Sequence, residues 1–162
     1  MKVNNMAEQD KKLPPQKIVI SKLRERVDAW RGFPLQNAKT PYPKEPAKYK
    51  PVSPFEKEIS ETTDLLLRHW FRPLPHELKD QSGKPYRFKY WPHQRRTIET
   101  FIYLYEVCGV RKRDDISKII DFEIVPQRDP WTKLGAQLAT GSGKTKIMGL
   151  VIAWSYLNAV IE

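Results

Sequence analysis

A chain that carries Ala139-Thr140-Gly141-Ser142-Gly143-Lys144-Thr145 has few folds open to it. Two glycines flanking one serine admit backbone angles that a side chain forbids, and a lysine and a threonine follow at once. Upstream, Trp131–Leu138 reads as a short strand with Leu134, Ala136 and Leu138 on one face. Downstream, Lys144–Ile161 reads as a helix rich in apolar residues. Strand, glycine loop and helix in that order form the context of a phosphate-binding loop. The loop amides and the helix N-terminus present partial positive charge to an anion. In that reading the stretch Thr140, Gly141, Ser142 and Gly143 cradles phosphate. Lys144 reaches the β- and γ-phosphates of a nucleotide, and the Thr145 hydroxyl ligates Mg²⁺. The full G-x-x-x-x-G-K-[ST] pattern asks for glycine at position 138, where this chain has leucine. The bland alternative is a glycine-rich turn containing a lysine, which would have to acquire its strand and helix by chance.

Composition bounds the rest. The 162 residues suffice for one domain, and fourteen prolines with 30% charged residues argue that part of the chain is unpacked. A net charge of +10 suits a polyanionic partner. Cys108 stands alone, which excludes an intrachain disulfide and points to a reducing interior. The polar, charged Met1–Pro15 offers no signal core, and the apolar run near the C-terminus is broken by Gly149, Ser155 and Asn158. The expectation is a soluble, cytoplasmic protein without a membrane partner.

Taken in order, residues 1–52 read as a basic, proline-rich, partly disordered arm with one short helix. Ser21 caps that helix over Lys22–Arg31, burying Leu23, Val27 and Trp30, and Gly32 and Pro34 end it. Ile18-Val19-Ile20 reads as a strand or an anchor. Pro41, Pro43, Pro46, Pro51 and Pro54 imply extended, solvated backbone. Residues 1–50 hold twelve Lys/Arg against five Asp/Glu, so the arm either tracks a nucleic-acid backbone or keeps the chain in solution.

Residues 53–87 read as a helical extension and a turn. Ser53-Pro54-Phe55-Glu56 gives three helix-start signals, with the helix running to Phe71 and Phe55, Ile59, Leu66 and Trp70 on one stripe. His69 and His76 flank its end without the cysteine or carboxylate company that a metal needs. Gln81–Pro85 reads as a turn, with Tyr86–Tyr90 as the second arm of a hairpin. Residues 88–162 hold the second informative stretch, Phe88-Lys89-Tyr90-Trp91-Pro92-His93-Gln94-Arg95-Arg96. Pro92 suits the first turn of a helix to Val107, with Ile98, Phe101, Ile102 and Tyr105 inward and Gly109 at its end. A glutamine amide carries acceptor and donors in one plane, which matches adenine's edge, and Tyr90 or Trp91 offers a ring to stack on. An exposed helix glutamine is the alternative. Ile116, Ile119 and Ile120 suit a short helix between the two stretches.

Aromatic-Pro-x-Gln opening a helix, followed by T-G-S-G-K-T, resembles the Q-motif and motif I of superfamily-two DEAD/DEAH-type helicases. Phe88–Glu106 and Leu138–Leu157 are most similar to the restriction subunit of type III restriction enzymes and related phage-defence helicases. That resemblance implies a RecA-like P-loop fold and the roles of ATP and Mg²⁺ ligands for Gln94, Lys144 and Thr145. It further implies DNA, or RNA, as a partner, and a methyltransferase or specificity subunit. It covers roughly Phe55–Glu162 and says nothing of the first fifty residues.

The departure is large. Such enzymes hold Mg²⁺ and water with an Asp-Glu motif and supply arginine fingers from a second lobe. Of the residues after Thr145, only Glu162 is acidic. Asp114-Asp115 precedes the loop and does not fit the required order. The expected class is therefore α/β, an incomplete P-loop domain behind a mostly helical extension, with the chain the ATP-binding N-terminal piece of a larger DNA helicase or translocase and itself inactive. The other readings are an RNA helicase fragment and a non-catalytic module that binds nucleotide, nucleic acid or a partner.

Overall fold

The structure, a computed structural model, describes residues 15–35, 46–123 and 135–161. Helix α1 is Pro15–Arg31, α2 is Glu61–Trp70, and strands β1 (His76–Lys79) and β2 (Pro85–Phe88) form an antiparallel hairpin. Helix α3 is Pro92–Ile102 and runs on into a π-helical turn over Tyr103–Val107; α4 is Arg113–Ile120 and α5 is Lys144–Ile161. One apolar core joins the helices. It takes Val27 and Trp30 from α1, Ala47 and Tyr49 from the following segment, and Leu67 and Trp70 from α2. Ile98 and Ile102 of α3, Tyr103, Leu104 and Val107 of the π-helical turn, Ile119 and Ile120 of α4, and Leu150 and Trp154 of α5 join it.

The basic arm is therefore not all tail. Helix α1 starts at Pro15, six residues before the expected Ser21 cap, so Ile18-Val19-Ile20 is helical and Ile18 is buried. Proline tolerates a first helical position, where its missing N–H is no loss. Gly32 ends the helix at φ 91°, its amide donating to the carbonyls of Asp28 and Ala29. Of the proline-rich tether, residues 46–50 are irregular and only half solvated, with Ala47 and Tyr49 buried and Tyr49 at a φ of 46°. The amides of Lys48 and Lys50 donate to the carbonyls of Arg31 and Trp30, which the helix end leaves without partners. Tyr49 turns inward to lie 4.9 Å from the Trp30 ring. The expected disorder of Met1–Pro15 falls almost wholly outside the described residues, as do residues 36–45 of the tether.

A buried charge cluster stitches these pieces together. Glu99, fully buried on α3, accepts from Arg31 Nε and Arg95 Nε at 2.7 Å each. It also accepts from the Tyr49 hydroxyl at 2.7 Å. Asp28 pairs with Arg31 from the preceding turn, so two guanidiniums meet two carboxylates. Burial and the Glu99 charge hold the Tyr49 phenol well above its usual pKa, which keeps it a donor. Arg95 also lies over the rings of Phe71 and Phe33.

Two sequence expectations fail here for identifiable reasons. The helix placed at Ser53 starts instead at Ser60, whose hydroxyl accepts from the Thr63 amide with Glu61 and Asp64 in the first turn. Glu56 does not cap Ser53. Its carboxylate accepts from the Val52 amide at 2.8 Å and the Tyr103 hydroxyl at 2.7 Å, while the Lys57 amide bonds to the Val107 carbonyl. Phe55 is left half exposed. The π-helical turn explains the second failure. One extra residue in the turn rotates the succeeding residues by about 100°. Tyr103, Leu104 and Val107 therefore face the core, and the expected Tyr105 is 50% exposed. The rotation also aims Glu106 at α2 and α5, where it accepts from the Ser60 amide, the Thr63 hydroxyl and the Trp154 indole. Burial pushes the Cys108 thiol up to about 11, so it is an inert side chain at neutral pH.

Replacing Glu99 by Gln should destabilise the chain by about 3–5 kcal/mol, because two buried guanidiniums lose the carboxylate they share. Tyr49→Phe, which removes one neutral donor, should cost about 1 kcal/mol. Urea unfolding measures both. A Glu99→Gln loss no larger than that of Tyr49→Phe would show that the charges do not hold α1 to α3.

Candidate nucleotide site

Helix α3 opens at Pro92, with Trp91 extended before it. The Trp91 amide donates to Gln94 Oε1 at 2.9 Å, so Gln94 closes its own helix's first turn. That bond fixes the side chain's orientation and leaves its amide nitrogen pointing off the helix end. Nε2 of Gln94 donates to the carbonyl of Ser142 at 3.0 Å. His93, one residue earlier, reaches the same carbonyl with its own Nε2 at 2.9 Å. Two stretches 48 residues apart in sequence thus meet at one peptide oxygen.

The glycine loop is shaped for that meeting. Gly141 and Gly143 have φ values of 77° and 79°, in the left-handed region that disfavours side chains. The Ser142 hydroxyl donates to the Ala139 carbonyl at 2.6 Å, as does its amide at 3.3 Å, which curls the loop. At Gly143 a side chain is excluded twice over, because a Cβ there would lie 2.2 Å from Gln94 Nε2. Lys144 and Thr145 are the first two residues of α5, and both are exposed. The first helical bonds of α5 are those of the Lys146 and Ile147 amides to the Gly143 carbonyl. The amides of Gly143, Lys144 and Thr145 precede them and have no helical carbonyl to meet. These residues fit a phosphate chain with its Mg²⁺: left-handed glycines, free-ended helix amides, an exposed ammonium and an exposed hydroxyl at one point.

Of the residues singled out in sequence, the structure brings Gln94 together with the loop at the Ser142 carbonyl. The contact the geometry gives Gln94 differs from the adenine contact expected of it. At 3% exposed, with Oε1 on Trp91 and Nε2 on Ser142, its amide holds the loop. Adenine recognition would need the amide to be uncovered. Trp91, 55% exposed, remains open to a base, whereas Tyr90 packs edge-on against Phe71 and Phe88. His93 was not singled out, although its place beside Gln94 in the first turn of an expected helix put it within reach of the same target.

The strand expected before the loop is not seen where it can be judged. Residues 135–138 are not paired in any sheet, and residues 131–134 lie outside the described residues. Gly135, Ala136 and Gln137 instead line one side of a cavity of about 230 Å³ against α1 and α3. The helix after the loop forms as expected, but it packs on α2 and α3 rather than on a sheet. Ile147, Leu150 and Trp154 are buried, while Met148, Ile152, Tyr156 and Val160 are more than 60% exposed. Lys146 reaches from α5 over the Phe88 ring at 5.1 Å, setting the hairpin beside the loop.

His69 and His76 meet edge to face at 5.2 Å, and His76 Nε2 lies 3.1 Å from the Trp70 carbonyl. Among the described residues no group of three or more His, Cys, Asp or Glu is placed to hold a metal, and no helix is long and apolar enough to cross a membrane. Compared with protein families, curated proteins and solved structures, the chain matches none.

The two loop glycines should respond differently to alanine. Gly141→Ala meets no atom within 4 Å and should carry only the left-handed strain, about 1–2 kcal/mol. Gly143→Ala carries the same strain and also displaces the Gln94 amide, adding about 1–3 kcal/mol for a buried polar group left unpaired. Urea unfolding of both variants checks this, and equal losses would contradict the contact between Gln94 and the loop.

Proposed function

We propose that the chain is the ATP-binding portion of an ATP-dependent DNA helicase or translocase of the type III restriction or phage-defence kind. The observation that carries this reading is the seating of Gln94 and His93 on the carbonyl of Ser142. A glycine turn with an accidental lysine has no reason to be gripped by a glutamine that opens a distant helix. A nucleotide loop joined to a Q-motif helix does.

The chemistry follows from the loop. Free amides at the start of α5 and its positive dipole end stabilise phosphate oxygens. Lys144 adds a full positive charge at the β- and γ-phosphates, and the Thr145 hydroxyl ligates Mg²⁺, which supplies charge neutralisation to the transferring phosphoryl group when bound. Exposed Trp91 is the ring on which a base stacks. Gln94 keeps one N–H and one lone pair, enough to pair with adenine's edge once nucleotide uncovers it. DNA as the polymer rests on the resemblance and on the net charge of +10. The arm contributes less freely than a tail would, since Arg31 is consumed in the core.

Hydrolysis needs a carboxylate to hold Mg²⁺ and orient water, and a cation for the developing charge. Within these residues, no acidic side chain lies between Thr145 and Glu162. The 162-residue chain should therefore bind MgATP without turning it over. Lys144→Ala should weaken binding about tenfold to a hundredfold, the range for a lost hydrogen bond to a charged group, and leave the melting temperature unchanged because Lys144 is exposed. Calorimetric titration, phosphate release and thermal unfolding on both proteins test it. Equal MgATP affinity in wild type and variant would end the reading.

A further inference from the structure

The grip on Ser142 has a consequence for the direction in which the loop presents its amides. A trans peptide is planar, so the Ser142 carbonyl and the Gly143 N–H point in opposite directions. Glycine on one side of that plane leaves it easy to rotate, because φ values of either sign are open to it. If the plane turned over, a carbonyl oxygen would face the phosphate where an amide should be. A carbonyl oxygen has two lone pairs. Here one receives His93 Nε2 at 2.9 Å and the other Gln94 Nε2 at 3.0 Å, both from the first turn of α3.

We propose that His93 is a positioning residue of the nucleotide site, which with Gln94 clamps the Ser142–Gly143 peptide so that its N–H faces the phosphates. This rests on reading the loop as a triphosphate site. The bond requires the Nε2–H form of the imidazole, since a carbonyl only accepts. The ring and the backbone that carries it each have a neighbour. Its face lies nearly parallel to the Trp91 indole, with 22° between planes and 6.4 Å between centroids. Its own backbone carbonyl accepts from the Thr97 hydroxyl at 2.8 Å, which fixes the helix turn that carries it. Gln94 supplies the second donor, so neither residue is indispensable and each sharpens the other.

Three variants of the full 162-residue chain test the clamp. His93→Phe keeps a flat ring and removes the donor; His93→Gln restores an amide donor at a similar reach; Lys144→Ala reports on the site itself. Two measurements are made on each: MgATP affinity, and the ¹³C resonance of the Ser142 carbonyl without nucleotide, which moves upfield when a hydrogen bond to it is lost. His93→Phe should move the resonance and weaken MgATP about threefold to tenfold, the scale of one hydrogen bond. His93→Gln should return both towards wild type. A carbonyl resonance unchanged in His93→Phe would overturn the clamp. So would a moved resonance with unchanged affinity, which would make the contact structural only. If Lys144→Ala also leaves affinity unchanged, the failure lies with the triphosphate reading, and the clamp falls with it.

Discussion

The structure depends on one buried carboxylate. Glu99 sits at zero exposure on α3 and receives Arg31 from α1, Arg95 from its own helix and Tyr49 from the segment after α1. An isolated charge could not remain there, and removing either partner alone leaves a costly remainder. The cluster is therefore a constraint more than a source of net stability. It forces three parts of the chain into one arrangement. Arg95 is also the neighbour of Gln94 in sequence, so the interaction that anchors α3 lies one turn from the pair that grips the loop. Anything that loosened Glu99 would loosen the aim of His93 and Gln94.

A second polar cluster does similar work at the other end of α3. The π-helical turn brings Glu106 under Thr63 and Trp154, and Asn158 donates to the Thr63 hydroxyl at 3.1 Å. Helix α5 is thus held in its second half by side chains from α2 and the π-helical turn, while its first residues follow the loop. The loop is fixed from both directions: through the helix that succeeds it and through the helix end that touches it.

Much of this was legible in the sequence, and the failures share a cause. The hairpin, the start of α3, the short helix at Arg113–Ile120 and the helix after the loop follow from turn chemistry, Pro92, isoleucine spacing and apolar periodicity. Ser53 carries the expected helix-start signals, whereas the helix begins at Ser60. The choice between them was made by Tyr103 and Val107, which draw Glu56 and Lys57 away from any cap. Tyr105 follows the helical period, and only the inserted residue in the turn moves it outward. Local signals were overridden by contacts about 40 or more residues distant, which no window of sequence contains. The same holds for the arm, where composition suggested solvated chain but Trp30, Arg31 and Tyr49 are core residues. At the site, the loop and Gln94 were legible because glycine spacing and a helix-opening proline are local. His93 was missed because its meaning lies in the carbonyl it reaches.

If the proposed function holds, the N-terminus of α3 and the glycine loop act as one nucleotide site. Titrating the ¹⁵N-labelled chain with MgATP and following every backbone amide tests it most directly. Saturable shifts are expected in Gly141, Ser142, Gly143, Lys144 and Thr145, developing together, at one midpoint, with shifts in His93 and Gln94. Loop shifts without a matching response in His93 and Gln94, or saturable shifts centred elsewhere on the chain, would contradict it.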